Sequence, residues 1–271
     1  MEDGMDEGCT ASLALSIIHS FLYGSAGTGM MKQEDAMVGK LHVSTSQETG
    51  RKPSLVEDAY KALKEAIRDN VFPPGYQGSE QEIALRLGMS RTPVHEAIIR
   101  LQEDGLVRVL SKRGVMICPL APEDIREIYD VIIAIEARAA ELLAAIPDDE
   151  RRLVADELEE ATSRMEQALS EGDLHAWAIA DDQFHRILVD RCGNSRIRRI
   201  AQTITDQAHR ARMLTLKLRS KPTGSVAAHR EITAAIRNGR VAEAHQHARQ
   251  HRIGARDELV PLIVSFGIKH L

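Results

Sequence analysis

The stretch Leu87–Val109, "LGMSRTPVHEAIIRLQEDGLVRV", places a glycine turn, a helix start and the start of a strand within a few residues of one another. Gly88 ends whatever helix precedes it. Ser90 or Thr92 can cap the next one, and Pro93 sits in its first turn, where a missing N–H costs nothing. That helix is expected to run to Gly105. Two β-branched runs follow, 106–109 and 115–118, joined by "LSKRG", which predicts a hairpin with a basic tip. Upstream, Ser79 and the acids Glu80 and Glu82 suit the start of a short helix that stops at Gly88. Before it, Leu55, Ala59, Leu63, Ala66 and Ile67 share one face of a helix that ends ahead of Pro73 and Pro74.

Helix, helix, glycine turn, helix, basic hairpin is the order of a winged helix-turn-helix, whose third helix enters the major groove while the hairpin leans on the backbone. Arg91 and Thr92 lie where free N–H groups and the helix dipole attract phosphate, and Arg91 can offer a two-pronged guanidinium to guanine. Lys112 and Arg113 at the hairpin tip can reach flanking phosphates or the minor groove. On pattern alone, a structural three-helix unit with solvated charges stays open. The net charge of −5 is no obstacle, because the segment 51–120 carries 11 Lys and Arg against 9 Asp and Glu.

The 271 residues are enough for two modest cores, and 3% aromatic content favours packed helices over a sandwich or barrel. Cys9, Cys118 and Cys192 are odd in number and far apart, which suggests neither a disulfide framework nor a thiolate metal site. The apolar run 11–23 is shorter than the roughly 20 residues that span a bilayer and follows acidic residues, so no signal peptide or anchor is read and a cytoplasmic location is expected. Residues 1–50 lack sustained periodicity and read as a mobile N-terminal extension. Their "GSAGTG" lacks the ending and the preceding strand of a phosphate loop.

After Pro119 only helical periodicity remains: about 122–145, 149–170, 173–191, 195–218, 224–237 and 240–266, broken by Pro147, Gly172, "CGNS", "SKPTG" and "NGR". The expected fold is therefore mainly α, a winged helix-turn-helix domain over 51–120 followed by an all-α antiparallel six-helix bundle over 121–271. Within the bundle, Asp181 and His185 stand i, i+4 on one helix face, while Asp182 points about 100° away. His229 and His251 are flanked by small and apolar residues, where an unpaired imidazole carries a desolvation cost. One carboxylate oxygen and three imidazole nitrogens suit Zn²⁺, Ni²⁺ or a similar divalent ion. With 11 histidines in the chain, a chance grouping or a set using the His247–His251 pair stays open.

The segment "GSEQEIALRLGMSRTPVHEAIIRLQEDGLVRVLSKRGVMICPL" resembles the GntR family of bacterial transcription regulators over about residues 53–120. The resemblance matches Arg91, Thr92 and the wing Arg113–Gly114 to the family's DNA-contacting positions, and Ser90, His95 and Lys112 complete the expected DNA-reading set. The chain departs from the pattern at His95, where the family usually has Arg, at Gln81, often basic, and at Gly78, usually Leu, which leaves a core side chain missing. The bundle is similar to the FCD ligand-binding domain of the FadR-type branch over about residues 122–267. That likeness rests on Asp181–His185, the following "CGNSRI", and His229–Gly239–His251. It implies that Asp181, His185, His229 and His251 hold the metal and that a small carboxylate or sugar acid is the effector. Ile132 stands where many members place an Arg for that acid, leaving Arg138 and Arg212 as substitutes. The expectation is a homodimeric, ligand-responsive regulator of a palindromic DNA operator, a repressor by the family's commoner mode, and not an enzyme. Two alternatives are a constitutive DNA binder with a purely structural metal, and a metal-dependent hydrolase or lyase carrying a DNA-targeting module.

Overall fold

The computed structural model describes residues 54–265 apart from Lys112, Lys217 and Ser220. The expected extension over 1–50 and the wing residue Lys112 lie outside the described residues. The chain opens with α1 (Leu55–Arg68), then β1 (Gln77–Gly78), α2 (Glu80–Leu87), α3 (Arg91–Glu103), β2 (Val107–Leu110) and β3 (Gly114–Ile117). Six longer helices follow: α4 (Pro122–Ala145), α5 (Asp148–Glu171), α6 (Leu174–Asp190), α7 (Ser195–Thr215), α8 (Thr223–Arg237) and α9 (Val241–Ser265).

The local chemistry explains the first half. The Ser54 and Ser79 side chains accept from the backbone N–H groups of Glu57 and Glu82, and Gly88 ends α2 in the left-handed conformation at φ 65°. Ser90 occupies the N-cap position of α3, yet its side chain makes no capping bond, contrary to expectation. The first turn of α3 also holds no acid, so its N–H groups keep their pull on an anion.

Ala59, Leu63, Ile67, Ile83, Val94, Ala97, Ile98, Leu101 and Val115 close one core between the three helices and the sheet. The wing is three strands in the order β1-β3-β2, both pairings antiparallel, with Gln77 opposite Met116 and Val109 opposite Val115. The third strand was not expected, since two residues leave no periodicity to read. Gly78 belongs to it, and the core side chain it lacks is replaced locally: a Cβ there would lie 2.7 Å from the Tyr76 hydroxyl. Tyr76 packs on Phe72 with ring centroids 5.2 Å apart and donates to Glu82 Oε1 at 2.7 Å. Gly114, at φ 85°, needs both its conformation and its missing side chain, because a Cβ would run into the Gly78 carbonyl.

The second half is the six-helix bundle, whose main core gathers Ala139, Ala140, Leu143, Leu158, Phe184, Leu188, Ile232, Ile236 and Ala248. Ile132 sits 2% exposed in a second apolar cluster with Tyr129, Ala208, Ala211 and Leu259.

The two halves meet at a charged seam. Asp182 and Asp206, on α6 and α7, are buried against cations of α1: Arg68 lies 2.6 Å from Asp182 Oδ2 and 2.9 Å from Asp206 Oδ1, and Lys64 lies 2.7 Å from Asp206 Oδ2. Arg186 closes the group at 2.7 and 2.9 Å from the same two carboxylates. The fully buried Arg210 donates to the Cys118 carbonyl at 2.7 Å, fastening the interdomain linker to α7. Burial brings its guanidinium down to about 10.

Candidate metal centre and nucleic-acid interface

Three helices bring the predicted ligands together. Asp181 and His185 project inward from α6, His229 from α8 and His251 from α9, and one donor atom from each falls within 4.8 Å of all the others. His251 Nε2 lies 3.1 Å from His229 Nε2 and 3.3 Å from His185 Nε2; Asp181 Oδ1 lies 3.7 and 3.8 Å from the Nε2 atoms of His229 and His185. His247 is not part of the group and pairs with Glu231 at 3.4 Å.

The donor set fits a cation. Burial, reinforced for His185 by Arg252 and for His229 and His251 by the neighbouring imidazoles, holds all three rings well below the usual histidine range. They are therefore neutral at pH 7. Glu136 Oε2 stands 2.9 Å from His185 Nδ1, an ion-pair distance without hydrogen-bond alignment, and Met165 Sδ stands 3.1 Å from His229 Nδ1. Protons on those outer nitrogens leave Nε2 lone pairs facing inward. A single proton on His251 Nε2 cannot serve two neighbours at once, so the cluster lacks donors for its acceptors, the deficit a divalent ion fills. Asp181 stays ionised: burial opposes its charge, but the guanidiniums of Arg212 and Arg252 outweigh that effect and hold the carboxyl below the ordinary range. Asp181 Oδ2 is 3.0 Å from Arg212 Nη1 without hydrogen-bond alignment.

Glu136 is a supporting residue that the sequence reading missed. Arg252 grips it with two bonds of 2.6 and 2.7 Å, which fixes the carboxylate beside His185. A sequence signal existed: Glu136 interrupts the apolar face formed by Ile132, Ile133, Ala137 and Ala140. A cavity of about 270 Å³ opens onto the ligands and is bordered by Tyr129, Trp177, Arg212 and Arg219. Arg212, read from sequence as a possible effector contact, is buried there. Arg138 is not: it is half-exposed, paired with Glu141 at 2.5 Å, and does not border the cavity.

On the other half, Arg91, Thr92 and His95 line the exposed face of α3, and Arg113 and Gly114 turn at the described end of the wing. Glu80, at the start of α2, holds two of them, with Oε1 2.8 Å from His95 Nδ1 and Oε2 3.4 Å from Arg91 Nε. Gln81 is exposed beside it.

Two family models match this chain: "Bacterial regulatory proteins, gntR family" over residues 55–117 and "FCD domain" over residues 127–253. The HTH-type transcriptional regulator in the TAR-I ttuE-ttuC' intergenic region of Agrobacterium vitis is 58% identical over 134 residues, covering 49% of this chain and 78% of its own. The HTH-type transcriptional regulator YdhC of Bacillus subtilis is 30% identical over 71% of this chain and 85% of its own. A GntR transcriptional regulator from Rhodococcus sp. RHA1 shares the fold, with a TM-score of 0.66 at 24% identity over 77% of this chain and 99% of its own. Among the described residues no helix is long and apolar enough to cross a membrane. The relatives are regulators rather than enzymes, and the matched segments coincide with the winged helix and the bundle: the chain is a DNA-binding transcription regulator of the GntR family, with an FCD domain as its second half.

Proposed function

We propose that this regulator acts in the cytoplasm as a homodimeric repressor, reading a palindromic operator and responding to a small acid that binds beside a divalent metal in the bundle. The observation that carries the reading is the double use of two helices. On α6, Asp181 faces the ligand cluster while Asp182, one residue on, meets Arg68 of the DNA-binding half. On α7, Arg212 meets Asp181 while Asp206 and Arg210 hold α1 and the linker.

Asp181, His185, His229 and His251 would hold the ion, Zn²⁺ or Ni²⁺ by donor type, and bound there it supplies a positive centre for an acid. Arg212 stands at the same end of the cavity to orient that acid. A ligand that draws on Arg212 and Asp181 alters the two helices on which the winged domain sits, and its differential affinity for the two arrangements sets the response. Arg91 and Thr92 read base edges and phosphates from the uncapped start of α3, with Arg113 and Gly114 on the flanking backbone. His95 supplies no fixed charge, and its bond to Glu80 gives the carboxylate a competing hold on the reading face.

The test is selection of a binding site from random duplex DNA by the metal-loaded full chain, followed by anisotropy titrations with and without chelator and small acids. A two-fold symmetric site, lost in Arg91→Ala and released by an acid only when metal is present, is the expected result. Operator affinity indifferent to acids and to the metal, short of unfolding, would instead favour a constitutive binder with a structural ion.

A further inference from the structure

The cavity beside the ligand cluster holds two cations with unmet hydrogen bonds. Arg212 Nη1 and Arg219 Nη1 are buried and without a hydrogen-bond partner among the described residues, and their side chains are only 6% and 5% exposed. Both border the same cavity of about 270 Å³. A buried guanidinium N–H without an acceptor carries a desolvation cost that a ligand oxygen relieves. The two have different neighbours. Arg212 lies against Asp181 at the histidines, whereas Arg219 lies over the Trp177 ring at 5.5 Å and meets Glu258, 40% exposed, at 3.3 and 3.4 Å. Those bonds are long for a charge-assisted pair, so Glu258 leaves Arg219 room for a better acceptor.

Charge balance points the same way. Arg212, Arg219 and Arg252 offset Asp181, Glu258 and Glu136, so a divalent ion at the cluster leaves an excess of two positive charges around a half-open cavity. We propose that the effector of this cavity is a small dicarboxylate, one carboxylate on Arg212 beside the ligand cluster and the other on Arg219 against Trp177. The volume admits a chain of a few carbons. Two carboxylates bring the two negative charges needed, whereas a carboxylate joined to a phosphate brings more. This inference rests on the metal-and-acid reading above and adds Arg219 as the residue that selects a second acidic group.

The experiment is isothermal titration of the full chain, loaded with Zn²⁺ and checked by elemental analysis, with succinate and glutarate against butyrate and valerate, their one-acid counterparts of equal carbon count. At least one diacid should bind about tenfold tighter or better than its partner. Arg219→Gln should bring that ratio to about one while leaving metal content and monoacid affinity unchanged. Glu258→Gln, which removes the competing carboxylate and spares the fold, should raise the diacid preference. No preference at either length, or a preference that survives Arg219→Gln, overturns the proposal while leaving the metal-and-acid reading intact if the monoacids bind. Absence of metal uptake overturns both.

Discussion

Replacing Asp206 by Asn tests the seam that joins the two halves. The substitution keeps the size and shape of the side chain and removes only its charge, so no cavity confuses the result. Asp206 is 2% exposed, forms ion pairs with Lys64 at 2.7 Å and Arg68 at 2.9 Å, and accepts a hydrogen bond from Arg186 at 2.9 Å. In the variant Arg68 and Arg186 keep only the carboxylate of Asp182, Lys64 keeps no carboxylate partner, and an amide N–H₂ replaces an acceptor beside them. Breaking one side of a buried charged group of this kind costs about 3–5 kcal/mol, because the abandoned charges stay desolvated. For a chain of this size, about 2–4 °C of melting temperature accompanies each kcal/mol, so a fall of roughly 6–20 °C is expected. Urea unfolding and calorimetry of the metal-loaded protein measure it. The winged helix and the bundle have separate cores, so the weakened seam should also show as two transitions where the parent protein shows one. A cycle with Arg68→Met should give a coupling energy above about 0.5 kcal/mol. A loss below about 1 kcal/mol, the range of exposed pairs, with additive single variants, would refute the idea that the seam holds the domains.

His229→Ala should abolish stoichiometric metal uptake and lower the melting temperature, and saturating metal should stabilise the parent protein by about 4 kcal/mol at 1,000 times its dissociation constant; elemental analysis with melting curves checks both. The metal-free protein should lose stability on acidification in two stages. Three histidines whose folded-state values are depressed keep their full contribution above about pH 6.5, and stability then falls by up to about 4 kcal/mol per pH unit as the unfolded chain takes up their protons. Asp182 is held far below the ordinary carboxylate range: burial opposes its charge, and His209, Arg68 and Arg186 overcome it. Its contribution therefore persists to about pH 4 and is lost only below that; urea titrations at intervals from pH 8 to 3 would show the stages. His95→Arg should tighten DNA binding and steepen the slope of log affinity against log salt by about one unit, read by anisotropy between 50 and 200 mM salt.

The elements were legible in the sequence because their signals are local. Glycine stops, serine caps and the 3.6-residue spacing of apolar positions fix where α1 to α9 begin and end to within a few residues, and the i, i+4 spacing of Asp181 and His185 fixes that both face the same way. The sequence also placed Asp182 correctly off that face. It could not say what Asp182 faces instead. Its partners Arg68 and Arg186, and their further contact with Asp206, bring together three helices up to 138 positions apart (Arg68 to Asp206), and no local pattern records such a meeting.

Arg212 and Arg138 show the same limit. Both are arginines on amphipathic helices, equal as surface charges by composition, yet packing buries one against Asp181 and leaves the other paired with Glu141 in solvent. Arg219, beyond the end of α7, becomes part of the cavity only because Trp177 lies against it. By itself the sequence determined the helices, the exposed residues at the start of α3 and the identities of the four side chains that cluster in the bundle, since each depends on neighbours within a turn or two or on a repeated spacing. Tertiary structure decided which charges are buried, which carboxylate supports which histidine and which guanidinium faces the cavity, because those depend on desolvation by residues distant in the chain.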